Sequence, residues 1–347
     1  MQMTMLRRLL RNLINKFGAD QPRGQLTAAD NATTPRAAEQ RDTGEPARLD
    51  HIICPLRHTD LVPEDPLNYR AEYWATYGAF VPRALRTLGV QVLAPAAPAE
   101  DFSIAWHFAD GSCVRTGISY SDFFWDYDSS LGMDGLFKIR YHPTRKSDIK
   151  PRLPVAAAGF GLAVSGGYGD NDEFIANTLP QLRRIKDEEP QAATIFFNPA
   201  HFRTIGIASP DTYPNRERFR QALRVAQGNF EPAGRWLESV ARSSWVLNLC
   251  GSGNSIDRKV VELCAIGCAI ISDRGLEDLE LPYGRHFVHG ENIWFVDNPE
   301  DLLAVPEVVT GDVWRRLVDG SRELYMTCFQ PEQAGRWYLK KAREWAQ

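Results

Sequence analysis

The sequence predicts an α/β protein built as two Rossmann-like domains, with parallel sheets facing each other across an interdomain cleft. Three observations predict it. The chain has 347 residues, beyond the usual size of one domain, and enough apolar residues for large cores. Its second half alternates short apolar strands with helices on brief connections, the pattern of a doubly wound parallel sheet. Residues 153–170 are rich in Gly, Ala and Pro, a composition suited to a crossing between domains.

Residues 1–17 open the chain as an amphipathic basic helix. Met3, Leu6, Leu9, Leu10, Leu13, Ile14 and Phe17 share one helical face, with Arg7, Arg8, Arg11 and Lys16 around the rest. The segment reads equally as an anchor to an anionic membrane surface or as a helix docked on its own protein. Residues 18–47 hold few large apolar side chains and cannot offset their ordering entropy, which predicts a flexible linker.

The N-terminal domain is expected over 48–165. A strand at 51–56 precedes a helix over 69–88 that Gly89 closes, and a strand follows at 90–93. Residues 102–119 alternate apolar and polar on either side of Asp110-Gly111, a hairpin signal. Further strands are expected at 123–127 and 136–141. The C-terminal domain is expected over 166–330, with strands at 193–197, 245–249, 269–272 and 293–296. Helices are expected at 216–226, 235–241, 257–266, 299–303 and 313–329. A last helix over 331–345, carrying Trp337, Tyr338 and Trp345, has the length to cross back to the first domain.

Charge and cysteine content exclude some functions. The net charge of -4 offers no general attraction to a phosphate backbone, so nucleic acid is not an expected partner. Cys54, Cys113, Cys250, Cys264, Cys268 and Cys328 are scattered without CxxC pairing, as expected of reduced, mostly buried thiols. No run approaches the roughly 20 apolar residues of a membrane span, and no secretory leader is evident. The expected location is cytoplasmic or peripheral on the membrane.

Ligands of a doubly wound sheet bind outside the carboxyl ends of its strands. Here the strand ending at Asn248 runs into Gly251, Ser252, Gly253, Asn254 and Ser255, and a helix starts near Asp257. Glycines let backbone N–H groups approach a ligand, and the helix start favours a diphosphate. A strand-Gly-helix turn also arises wherever close packing demands glycine.

The segment WVLNLCGSGNSIDRKVVELCAIGCAIISDRGLEDL, followed by YGRHFVHGENIWFVDNPEDLL, resembles the donor domain of GT-B glycosyltransferases, especially the bacterial and exostosin-like groups. The likeness covers roughly 236–305. It rests on the glycine loop, on Lys259-Val260-Val261-Glu262 in the helix, on the strand to Ser272-Asp273, and on Gly290-Glu291-Asn292 before the last strand. It implies a nucleotide-sugar donor as substrate, no cofactor, no metal, and a glycan, lipid or protein acceptor. Glu262 matches the family's helix carboxylate that hydrogen-bonds the nucleotide ribose, a task suited to an acid because one carboxylate accepts from two vicinal hydroxyls. Retaining members often carry an acid eight residues earlier; here that position is Asn254.

A leaving diphosphate needs cations, and Arg258, Lys259, Arg203 and Arg216 are the candidates, with Arg216 and Lys259 favoured. Asp273 ends the next strand and completes the donor set. The N-terminal half should supply any base for the acceptor proton, and Asp126, Asp128, His107 and His142 are available. Other readings stay open. VLNLCGSGN is similar to the first motif of S-adenosylmethionine methyltransferases, although only about one hundred residues follow it. Asp126-Tyr127-Asp128 fits the metal-binding pair of the other glycosyltransferase architecture. A binding protein for sugar nucleotides or glycans, with a degenerate site, is the third.

Overall fold

The structure is a computed structural model. It describes residues 48–54, 56, 80–97, 103–119, 132–138, 153–159, 171–188, 192–197, 216, 218–219, 222, 236–250 and 258–347. Contacts divide the chain into Met1–Glu45 and Pro46–Gln347. The basic helix at 3–17, the linker, and the strand at 123–127 lie outside the described residues.

Within Pro46–Gln347 the described residues form a mixed α/β arrangement of two sheets. The first has the order β2-β1-β3-β4-β5-β6, from β1 (Leu49–Ile53), β2 (Gln91–Leu93), β3 (Ser103–Phe108), β4 (Cys113–Ser119), β5 (Gly135–Lys138) and β6 (Val155–Ala157). This sheet is mixed: β3 is antiparallel to β4, as the hairpin signal at Asp110-Gly111 predicts, and also to β1, which the expectation of parallel sheets did not include. The cause is local. Gly111 takes a φ of 86°, and the Asp110 carboxylate accepts from the Ser112 N–H at 2.8 Å and from its hydroxyl at 2.6 Å. A connection that short returns the chain beside itself, and a parallel crossover needs a dozen residues or more.

The second sheet has the order β12-β9-β8-β7, from β7 (Ala192–Phe197), β8 (Ser243–Asn248), β9 (Ala269–Asp273) and β12 (Trp294–Val296), and every pairing is parallel. Between β9 and β12 lies a short ribbon, β10 (Glu280–Leu281) and β11 (Arg285–His286). Helices α1 (Phe80–Arg86), α2 (Leu179–Glu188), α3 (Trp236–Ala241), α4 (Arg258–Ile266), α5 (Gly311–Leu324) and α6 (Pro331–Trp345) cover the strands. Gly267, at φ 88°, ends α4: its N–H and that of Cys268 both return to the Leu263 carbonyl at 3.0 Å.

Alternation along β8 sends Trp245 and Leu247 to one side and Val246 to the other, and two apolar cores follow. The smaller holds Trp245, Leu247, Ala269, Ile271 and Leu317. The larger is continuous from Ile52, Trp106 and Phe137 of the first sheet to Val246, Ile270 and Phe295 of the second. The larger core therefore joins the two sheets by apolar packing, while the smaller belongs to the second sheet alone. Helix α6 contributes to that junction. The Trp337 indole donates to the Ala157 carbonyl at 2.8 Å, the Tyr338 hydroxyl donates to Gly159, and the Trp345 ring lies 4.8 Å from that of Phe137. A Cβ on Gly335 would stand 2.6 Å from the Ala84 carbonyl oxygen, so only glycine lets α6 approach α1 this closely. Among the described residues no helix is long and apolar enough to cross a membrane.

Candidate functional site

The carboxyl ends of β8 and β9 carry a cluster of polar side chains in an otherwise apolar interior. Asn248 ends β8, pairs in register with Ser272, and is fully buried. Its amide nitrogen and oxygen have no hydrogen-bond partner among the described residues. Each such buried, unsatisfied atom typically costs about 1–3 kcal/mol, so folded proteins seldom retain one without a use.

Arg216 is 5% exposed and lies against the same strand end. Its Nε donates to the Cys250 carbonyl at 2.9 Å and Nη2 to that of Leu249 at 3.3 Å, which satisfies the backbone where β8 stops. Asp273 closes β9. It is 2% exposed, and its carboxylate accepts from the Cys250 N–H at 3.1 Å, tying the ends of β8 and β9 together. Burial first, then the neighbouring Asp273 charge, raises the Cys250 thiol well above its ordinary range and keeps it protonated.

Glu262 sits midway along α4 and is 1% exposed. An ordinary solvent-facing helix glutamate is thereby excluded. Lys259, one turn earlier, is half-buried; Arg258 opens the helix. Gly251, Ser252, Gly253, Asn254 and Ser255 lie outside the described residues, as do Arg203, Asp126, Asp128 and His142.

His107 is on β3, away from this cluster in sequence and in sheet. Its ring stacks on that of His51, with centroids 4.4 Å apart and planes 10° from parallel, and its Nε2 is 4.0 Å from the Cys113 sulfur. Cys113 begins β4, so His107 lies at the amino end of the parallel strands of its sheet. All six cysteines are free, and all but Cys113 are buried. Among the described residues no three His, Cys, Asp or Glu side chains are placed to hold a metal ion.

A rim of groups that sequence reasoning did not select surrounds the β9 and β12 ends. Arg274 follows Asp273 and donates through Nε to Asp297 at 2.6 Å and through Nη1 to Glu277 at 2.6 Å. Arg218, two residues after Arg216, donates to the Asp297 carbonyl. His289 accepts the Phe295 N–H on Nδ1 at 3.0 Å. The position of Arg274, directly after a strand-ending Asp, was a usable signal. Its pairing with Asp297, 23 residues on, was not.

No family model and no curated protein matches the chain. In backbone it is similar to a glycosyltransferase from Rickettsia africae ESF-5, at 10% identity and a TM-score of 0.34, over 82% of this chain and 83% of that one.

Proposed function

We propose that the chain is a glycosyltransferase of the GT-B type that holds a nucleotide-sugar donor at the carboxyl ends of β8 and β9. The observation that carries the reading is the buried polar cluster at that edge, above all the fully buried Asn248 amide, both of whose atoms are unpaired among the described residues. A ligand offering one donor and one acceptor removes that cost. The parallel sheet supports the reading too, since its carboxyl edge is where such sheets bind ligands. So does the sequence likeness of 236–305 to GT-B donor domains.

In this reading Glu262 accepts hydrogen bonds from the ribose hydroxyls. Arg216, Arg258 and Lys259 oppose the negative charge that builds on the departing diphosphate, without a metal. The glycine loop from Gly251 to Ser255 cradles the phosphates, and Asp273 holds the two strand ends in register. The acceptor proton passes to a base from the first half of the chain, with Asp126, His107 and His142 as candidates. The residues 48–165 and 166–330 then serve as acceptor and donor halves, and residues 1–17 hold the enzyme at an anionic membrane surface.

Thermal melting with nucleotide sugars and nucleoside diphosphates, beside S-adenosylmethionine, tests the class. A ligand at one hundred times its Kd should stabilise the chain by about 2.7 kcal/mol. Stabilisation by a nucleotide sugar, with slow release of free sugar, is the expected result. A response to S-adenosylmethionine alone would replace the glycosyltransferase with a methyltransferase. Nucleotide-sugar binding with neither hydrolysis nor transfer would leave a binding protein.

A further inference from the structure

His289 belongs to no role assigned so far, and its geometry fixes its chemistry. The backbone N–H of Phe295 donates to Nδ1 at 3.0 Å, so that nitrogen carries no proton and the ring proton resides on Nε2. The ring is held between neighbours, 4.3 Å from the Trp294 ring and parallel within 15° to that of Phe295 at 6.2 Å. Nε2 has no partner among the described residues, although the residue is exposed. Burial of part of the ring, then the Arg274 charge, lowers its pKa, which keeps the imidazole neutral at physiological pH. Glu277 and Asp297 act in the opposite sense and are the other charges facing it.

The surroundings connect it to the donor edge. Arg274 directly follows Asp273, whose carboxylate holds the end of β8, and Arg274 is fixed by Asp297 at the end of β12. His289 lies on that same rim, within reach of the Arg274 charge. An oriented neutral N–H donor next to a fixed guanidinium suits a ligand oxygen that must be recognised without another full charge.

Resting on the glycosyltransferase reading, we infer that His289 is a donor-recognition residue whose Nε2–H hydrogen-bonds an oxygen of the nucleotide sugar beside Arg274. The oxygen belongs either to the diphosphate or to the sugar. Both present the same acceptor chemistry, and two ligands tell them apart.

The test uses the full chain and three variants, His289→Gln, His289→Asn and His289→Ala, with affinity measured for a nucleotide sugar and for the matching nucleoside diphosphate. Glutamine places its amide N–H where Nε2–H stands; asparagine places an amide oxygen where Nδ1 stands and keeps only the bond from Phe295. The inference expects Asn and Ala to weaken nucleotide-sugar binding about tenfold, and Gln to recover most of the loss. If the diphosphate alone shows the same loss, the contact is to phosphate; if only the intact donor does, the contact is to the sugar. Parent-like binding by His289→Asn, with loss in His289→Gln, makes the ring a support for Phe295 and overturns the inference. Parent-like binding by all three overturns it as well. A parent chain that binds no nucleotide sugar overturns the glycosyltransferase reading itself, and the role of His289 with it.

Discussion

The two sheets make opposite use of their strands. In the first, Ile104, Trp106, Phe108 and Phe137 continue into the larger core with α6 over them, and the fully buried Thr116 among them is paired, its hydroxyl accepting from the Trp106 indole at 2.9 Å. In the second, apolar residues fill the middle of β8 and β9 and give way at their carboxyl ends to Asn248, Ser272 and Asp273, all nearly or fully buried. One sheet is held by area removed from water. The other gives up some of that gain at one edge, where buried polar atoms cost energy in the absence of a ligand. The difference teaches that stability and recognition occupy separate places in this chain, and substitutions should separate them.

The largest expected effect is on the first sheet. Trp337 is almost fully buried and donates its indole N–H to the Ala157 carbonyl at the end of β6. Trp337→Ala opens a cavity and leaves that carbonyl without its donor, and should cost about 3–5 kcal/mol of stability in chemical denaturation. Nucleotide affinity of the folded fraction should hardly move. A variant that melts normally but loses ligand would erase the distinction between the sheets.

On the other side of the comparison stands Glu262. Glu262→Gln keeps the size and one acceptor while removing the charge, and should weaken nucleotide binding by roughly 1.5–3 kcal/mol, about tenfold to hundredfold. The loss should be equal for a nucleotide sugar and its nucleoside diphosphate, because both contain the ribose. Equal binding by variant and parent would remove the ribose role and the register assigned to α4.

Asn248 sharpens the contrast further, since its amide has no hydrogen-bond partner among the described residues. Asn248→Leu removes the two unsatisfied atoms at similar side-chain length. It should leave stability unchanged or raise it by about 1–3 kcal/mol, while ligand-induced stabilisation disappears. A fall in melting temperature would show that the amide has a structural partner instead.

How far this could be read in advance differs between the halves for physical reasons. Around β8, α4 and β9 each element is specified locally: alternation and an apolar run for the strands, a helical period for α4, and Gly267 at its end. Strand and helix bounds there fall within about two residues of those expected. The first sheet depends on pairings between distant segments, so the hairpin at Asp110-Gly111 was legible but the antiparallel insertion of β3 was not. β6 is only three residues long and reads as part of a Gly- and Pro-rich crossing. Helix α2 was missed because its sequence LPQLRRIKDE is mostly polar and its buried set includes Lys186, which donates to the Ser243 carbonyl. Asn248, Arg216, Glu262 and Asp273 were selectable from their places at strand ends and in one helix. His289, Arg274 and Asp297 come together only through folding, so no spacing announces them.

The smallest effect concerns that rim and sets a limit on what its ion pair does for the fold. Asp297 accepts from the Arg274 Nε at 2.6 Å, and this hydrogen bond holds its carboxyl below the usual carboxylate range. In the unfolded chain the same group titrates at its ordinary value, roughly pH 4. Between the two values the unfolded chain binds a proton that the native chain does not. The contribution is therefore fully present above about pH 4 and is lost as pH falls through the lower, native value. Asp297→Asn removes it at every pH. Melting curves of parent and variant recorded in low salt should separate slightly at neutral pH and converge in acid, and added salt should narrow the gap, because both partners are exposed and screened. Curves that separate in acid and merge at neutral pH would reverse the assigned sign. Should stability barely change while nucleotide-sugar affinity falls, Asp297 would be holding Arg274 for the ligand, and the edge of the second sheet would extend from Asn248 to β12.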